Sequence, residues 1–323
     1  MMSHACCVPE KAPVAPEDGD SGGQFVRIAS GSTDGMQLIP GGKFLMGNES
    51  DYGFPADGEG PIHSVKLDPF YLDAACVTNE QFNAFVNTTG YRTEAEKFGW
   101  SFVFAGHLSG AQRTRYVAFT VSAAPWWCRV DGATWRHPEG PGTHIKKRWN
   151  HPVVQVSWRD AMAYARWVGK RLPTEAEWEC AARGGRVQQR FPWGEELEPQ
   201  GKHRMNVWQG RFPDENILGD GHFGPAPAKS YPANGYGLYQ MTGNVWEWCW
   251  DWFDAGYYRV SPSDNPPGPS QGDRRVMRGG SYLCHHSYCN RYRTDARSSN
   301  TPDSATTNLG FRCARDVSVP THQ

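Results

Sequence analysis

The chain carries 33 Lys+Arg against 34 Asp+Glu over 323 residues, a net charge of −1, which leaves no basic excess for nucleic-acid phosphates or anionic membranes. It contains neither a run of ~18 apolar residues nor a charged-then-apolar leader, so a cytoplasmic protein without a membrane span is expected. Nine cysteines in no regular framework argue against a stapled secreted domain, and 36 Gly, 24 Pro and 14 Trp favour long loops pinned by aromatic rings.

Residues 1–33 are rich in Pro, Gly, Ser and charge and are expected to form an N-terminal tail. From Met36, MQLIPGGKFLMG and HSVKLDPFYLDAACV read as strand pieces of a curled antiparallel hairpin interrupted by Gly and Pro. Thr78 and Gln81 form a capping box for a helix in which Phe82, Phe85 and Val86 share one face until Gly90 stops it. The pairs Ser157/Asp160 and Thr174/Glu177 begin two further helices, the last ending at Gly184-Gly185. Beyond it the sequence predicts aromatic loops, with short strands only at VMRGGSY and LGFRCA, and loops of that length in an ordered chain carry function. No long-period repeat is present. Residues 34–317 are therefore expected to be a single α+β domain, irregular and loop-rich, followed by a C-terminal tail at 318–323.

The sharpest chemical feature is Cys284-His285-His286-Ser287-Tyr288-Cys289, which follows a Gly-Gly turn and precedes Arg291, Arg293 and Arg297. Two sulfurs at this spacing can converge on one ion. Thiolates select Cu(I) or Zn, Cu(I) accepts two-sulfur coordination, and a zinc site would need two more ligands, which His285 and His286 can supply. A short-loop disulfide and two unlinked thiols fit the spacing as well. The nearby arginines favour the thiolate. The run from Gly235 to Trp248, with Glu247 and several amides, offers hard oxygens of the kind Ca²⁺ uses, as do Asn206-Val207 with Asp220 and His222; taken alone, each is more often a hydrogen-bonded loop. No H-x-x-x-H pair occurs, so a helical two-histidine metal site is excluded.

The phrases HPVVQVSWRDAMAYARWVGKRLPTEAEWE, FPWG, GYGLYQMTGNVWEW, RGGSYLCHHSYCNRYR and NTPDSATTNLGFRC occur in this order, and together the chain resembles the formylglycine-generating enzyme family, of bacterial type, from residue 36 to 316. LPTEAEWE, GNVWEW and GFR mark the wider sulfatase-modifying-factor fold, which includes non-oxidases. GGSYLCHHSYCNRYR with AEKFGWSFVF and AAPWW is more specific. The resemblance implies a duplicated C-type-lectin-like domain stabilised by Ca²⁺ and working as a monomer. The implied activity is conversion of the cysteine in a Cys-x-Pro-x-Arg segment of an unfolded sulfatase into Cα-formylglycine, using O₂, a thiol reductant and Cu(I) held by Cys284 and Cys289.

By the same resemblance, Ser281 and Tyr288 line the reacting centre and Trp246 walls it. Ala95, Phe102, Ala123, Trp126 and Trp127 would receive the motif proline, while Ser101 and Asn308 would hydrogen-bond the peptide. Trp100 stands where some relatives carry an acid, leaving stacking or cation–π contact for the motif arginine. The implied Ca²⁺ ligands are Asn206, Val207, Asp220 and His222 at one site and Gln240, Gly243, Val245 and Glu247 at the other, with Gln240 where relatives have Asn. Ala182 and Thr294 occupy cysteine partner positions of secreted relatives, so Cys313 is expected free unless Cys180 reaches it. Two alternatives on this fold are an iron-dependent sulfoxide synthase, which needs a histidine triad, and a non-catalytic Ca²⁺-stabilised peptide-binding module.

Overall fold

The computed structural model describes residues 8–11 and 25–318. In chain order the elements are β1 (Met36–Ile39), β2 (Gly42–Met46), β3 (His63–Leu67), β4 (Phe70–Asp73), α1 (Asn79–Thr89), α2 (Glu94–Phe98), β5 (Trp100–Phe104), α3 (Gly110–Tyr116), β6 (Val117–Val121) and β7 (Ala124–Asp131). They continue with α4 (Trp158–Trp167), α5 (Glu175–Arg183), β8 (Gly210–Arg211), β9 (Glu215–Asn216), β10 (Trp246–Trp252), β11 (Arg275–Arg278), β12 (Arg297–Asn300), β13 (Leu309–Gly310) and β14 (Ala314–Asp316).

The expected curled hairpin exists but splits in two: β2 pairs with β3, and β1 pairs with β4, antiparallel in both cases. The split falls at Gly41, whose φ is +67° and whose missing Cβ would stand 2.5 Å from Leu67 O. Strand β14 joins the far side of β4 and brings the end of the domain back to its beginning.

Every α-helix among the described residues begins with a capping box. Besides the three expected, Thr93/Glu96 starts α2 and Ser109/Gln112 starts α3. These two helices flank the sheet β5-β7-β6, which forms one wall of the site described below.

The second half is organised by the sheet β12-β11-β10-β13, in which Trp246 and Trp248 of β10 are fully buried. The predicted strand at VMRGGSY is confined to β11, and LGFRCA divides into β13 and β14 around an irregular Phe311 to Cys313. Buried arginines tie this sheet to α5: Arg278 reaches Glu175 at 2.9 Å and Glu179 at 2.6 Å, and Arg297 grips Glu175 at 2.8 and 2.7 Å. A buried carboxylate is tolerated only with such partners.

The described residues of the N-terminal stretch, 8–11 and 25–33, depart from the expected tail, whose other residues lie outside the described ones. Asp316 donates its N–H to Ile28 O at 2.7 Å, Gly31 donates to Gly169 O at 2.8 Å, and Phe25 packs edge-on against Trp250. Residues 8–11 are also packed, with Val8 and Lys11 buried. Hydrogen bonds and ring contacts hold these pieces, which a count of apolar residues does not register. The C-terminal tail expected at 318–323 falls, apart from Ser318, outside the described residues. No helix among the described residues is long and apolar enough to cross a membrane.

Candidate active site

The cysteine pair is positioned by the turn that follows β11. Gly279 (φ +92°) and Gly280 (φ +72°) take left-handed conformations, and a Cβ on Gly280 would lie 2.9 Å from Arg291 O. The turn is pinned by Gly243 N–H to Gly279 O at 2.8 Å and Tyr282 N–H to Asn244 O at 2.9 Å. Next in the chain, Ser281 accepts the Cys284 N–H on its carbonyl at 2.9 Å and directs its own N–H toward Cys284 Sγ at 3.4 Å. The Ser281 hydroxyl receives Asn308 Nδ2 at 3.0 Å. Residues 285–289 then curl into one turn closed by Cys289 N–H to His285 O at 2.8 Å.

The result is a Cys284 Sγ to Cys289 Sγ separation of 3.2 Å, with both residues buried and neither in a disulfide. A disulfide would hold the sulfurs at about 2.05 Å. Zinc would need further ligands. His286 is instead exposed, His285 turns its Nδ1 to Ser287 Oγ at 2.8 Å, and no group of three or more His, Cys, Asp or Glu arranged to hold a metal occurs among the described residues. Cys180 and Cys313 are likewise buried thiols outside any disulfide.

Burial and the neighbouring Cys289 thiol push the Cys284 thiol well above its ordinary range, opposed by the Ser281 N–H and Arg291. Of the three arginines expected nearby, only Arg291 is in reach of the pair, with Nη1 3.8 Å from Cys289 Sγ; its guanidinium also pairs with Asp57 and lies over Phe54 at 3.7 Å. Arg293 is held by Glu59 and Asp295, and Arg297 by Glu175.

Trp246 donates its backbone N–H to Asn308 O at 2.8 Å and shares a buried cluster with both cysteines. Tyr288 is braced: its hydroxyl bonds Leu283 O at 2.5 Å and its ring stacks on Phe212 at 4.1 Å, with Trp126 5.8 Å away. Phe212 escapes a reading of the sequence, because nothing near it in the chain marks a site.

The expected proline pocket is only partly as anticipated. Ala95, Phe102 and Trp127 are buried and Trp126 half-buried, whereas Ala123 is exposed at the β6–β7 turn and Ala124 takes the inward position beside Phe102 and Trp127. The alternation of a strand explains the exchange. Ser101 Oγ lies 2.5 Å from Gln155 Oε1 and 2.7 Å from Ala305 O, so its hydroxyl braces the wall from within. Asn308 is oriented by Thr306 Oγ1 on its Oδ1 at 2.7 Å.

The two implied calcium sets differ. In the first, Asn206 Oδ1 and Asp220 Oδ2 are buried without a hydrogen-bond donor. Gln209 links the loop by accepting Asp220 N–H at 2.7 Å and donating to Val207 O at 3.0 Å, and His222 N–H caps the other Asp220 oxygen at 3.0 Å. An orphaned amide oxygen and carboxylate oxygen fit a hard cation.

In the second set the residues do not fit an ion. Glu247 receives Arg312 at 2.6 and 2.7 Å, Trp178 Nε1 at 2.8 Å and Cys76 Sγ at 3.1 Å, which fills its four acceptor positions. The Gln240 amide, with Nε2 set toward the carbonyls, reaches Pro227 O at 3.0 Å and Ala228 O at 2.7 Å and accepts Asn244 Nδ2 at 3.2 Å. Gly243 and Val245 supply only backbone there.

Residues 23–317 match the family described as sulfatase-modifying factor enzyme 1-like domain. The chain belongs to this family. The match begins at residue 23, ahead of the domain start expected at 34. The chain is 58% identical over 288 residues to the formylglycine-generating enzyme of Streptomyces coelicolor, covering 89% of this chain and 91% of that relative. It is also 44% identical over 301 residues to the inactive C-alpha-formylglycine-generating enzyme 2 of Bos taurus, covering 92% and 93%. PvdO from Pseudomonas aeruginosa shares the fold, with a TM-score of 0.62 at 24% identity over 91% of this chain and 100% of that one. Sulfatase-modifying-factor relatives thus carry both active and inactive names, and the chemistry must be argued from the site.

Proposed function

We propose that this chain is an oxidase that converts the cysteine of a Cys-x-Pro-x-Arg segment in an unfolded sulfatase into Cα-formylglycine, with Cu(I) held by Cys284 and Cys289, O₂ as oxidant and a thiol as reductant. One observation carries the reading: two buried sulfurs 3.2 Å apart and not joined in a disulfide, with no further His, Cys, Asp or Glu grouped with them among the described residues. That donor set suits a soft monovalent ion and is too small for zinc. When bound, Cu(I) would supply a soft site for the substrate thiol and the electron chemistry that O₂ requires. The β-carbon gives up two electrons and the reductant two, sulfide leaves, and water provides the aldehyde oxygen.

The chain's own groups have separable tasks. Arg291, 3.8 Å from Cys289 Sγ, favours the thiolate, while Ser281 N–H directs itself at Cys284 Sγ. Asn308 fixes the Ser281 hydroxyl, and Trp246 with the stacked Tyr288–Phe212 pair keeps bulk water out. Half-buried Trp126, backed by the buried Phe102 and Trp127, offers an aromatic face to the motif proline, and Trp100 offers one to the motif arginine. Calcium is proposed at the Asn206–Asp220 set alone, where buried oxygens lack partners.

The test is incubation with Cu(I), O₂, a thiol reductant and a Cys-x-Pro-x-Arg peptide, followed by hydrazine trapping and mass measurement. An aldehyde product that disappears in Cys284→Ser and Cys289→Ser, each with an unchanged circular dichroism spectrum, is expected. Unmodified peptide with the parent chain overturns the proposal.

A further inference from the structure

Residues 8–11 are seated beside the proposed groove, where Lys11 meets Trp100. Val8 is 1% exposed and belongs to the buried cluster that contains Cys284 and Cys289, against which Trp126 and Tyr288 also pack. Pro9 is buried and its carbonyl accepts Asn300 Nδ2 at 3.1 Å; Lys11 N–H donates to Ser304 Oγ at 2.9 Å. Glu10 points outward and pairs with Arg274.

Lys11 is the informative residue. It is 2% exposed, and its Nζ sits 4.0 Å from the Phe98 ring centroid and 4.7 Å from that of Trp100, with no hydrogen-bond acceptor. Burial lowers its amine to about 8, against the pull of Asp303, Asp160 and Glu94. A cation is therefore held by two aromatic faces near three carboxylates, with Arg129 also over the Trp100 ring at 4.5 Å. Trp100 is the residue to which the motif arginine is assigned above.

Cys7 immediately precedes Val8, so the run reads Cys7-Val8-Pro9-Glu10-Lys11, a Cys-x-Pro-x-Lys pattern. The proline and the cation of that pattern are buried, and the variable Glu10 between them is exposed. We infer that residues 8–11 are an internal substrate mimic, occupying the peptide groove with Lys11 in the seat of the motif arginine, and that they must leave before a sulfatase segment enters. This rests on the substrate reading of the preceding subsection. A tethered competitor acts at an effective concentration of about millimolar. It can still be displaced, because a planar, weakly hydrated guanidinium stacks on an indole better than an ammonium does.

The test compares the full chain, a chain lacking residues 1–11, and full-length Lys11→Glu, which sets a carboxylate among Asp303, Asp160 and Glu94. Two fluorescein-labelled peptides, Ser-Val-Pro-Glu-Lys and a sulfatase-type Ser-x-Pro-x-Arg, are titrated by anisotropy, which needs no turnover. Both are expected to bind the shortened chain and Lys11→Glu roughly ten-fold more tightly than the full chain, and each to displace the other. Equal binding to all three chains, or no binding of Ser-Val-Pro-Glu-Lys to the shortened chain, overturns the mimic. Failure of the oxidase reading has a different signature: the peptides bind and compete, yet no chain oxidises the cysteine peptide.

Discussion

Arg312 clamps Glu247 from two sides, Nε to Oε2 at 2.6 Å and Nη2 to Oε1 at 2.7 Å, with both residues buried at the junction of β10 and β13. The clamp also explains why Glu247 is unavailable to a cation. Removing one partner strands the other charge in a medium that cannot solvate it. Arg312→Met is accordingly expected to cost roughly 3–5 kcal/mol in urea unfolding, while the double variant Arg312→Met with Glu247→Leu recovers much of that loss. A single variant as stable as the parent would show that the pair is not a structural tie.

Calcium dependence should trace to one set of ligands. Asp220 keeps a buried oxygen without a donor, whereas Gln240 has its amide committed to Pro227, Ala228 and Asn244. Calcium at about 100 times its Kd should add about 2.7 kcal/mol to the parent chain. Asp220→Ala is expected to abolish that gain and Gln240→Ala to keep it, as read by thermal unfolding with calcium and with chelator. The assignment fails if Gln240→Ala is the variant that loses the response.

Local signals carry much of this architecture. The capping boxes at Thr78, Ser157 and Thr174 are legible because cap, third residue and stop signal lie within one segment. The same box at Thr93 and Ser109 starts helices of only 5 and 7 residues, too short to show an apolar period. What is illegible depends on distant partners: Glu247 reads as a calcium ligand until Arg312, 65 positions away, is seen to fill it. Arg293 and Arg297 read as neighbours of the thiols until Glu59 and Glu175 claim them. The cysteine spacing permits three states, and the turn at Gly279 and Gly280 together with the turn closed by Cys289 N–H on His285 O brings the sulfurs to 3.2 Å.

A pH signature is expected from Asp160, which completes the α4 capping box by accepting Ser157 N–H and also accepts Glu94 N–H at 3.0 Å and the Tyr91 hydroxyl at 2.9 Å. Burial pushes its carboxyl up to about 6 from an ordinary 3.8. The folded state therefore favours the protonated form. That contribution is complete below the unfolded value and is lost as pH rises from about 4 through about 6, a difference of roughly 3 kcal/mol. Asp160→Asn, which cannot ionise, should be less stable overall for want of one acceptor but should show a shallower fall across that window in denaturant titrations. An identical slope would assign the effect elsewhere.

Two glycines with nearly equal φ separate conformational strain from collision. Gly90 (φ +68°) has nothing within 4 Å of its missing Cβ, whereas at Gly280 (φ +72°) that Cβ would meet Arg291 O and Tyr292 Cα, both at 2.9 Å. Gly90→Ala should cost only the left-handed penalty of about 1–2 kcal/mol. Gly280→Ala adds backbone contacts that cannot rotate away, so roughly 3 kcal/mol or more is expected from it. Because Ser281 is the next residue, relief by shifting the turn would carry the Ser281 N–H away from Cys284 Sγ. Turnover of a Cys-x-Pro-x-Arg peptide should then fall in Gly280→Ala beyond what its folded fraction explains, and in Gly90→Ala only in proportion to it. Parallel losses in the two variants would mean that the turn supports the fold without positioning the cysteine pair.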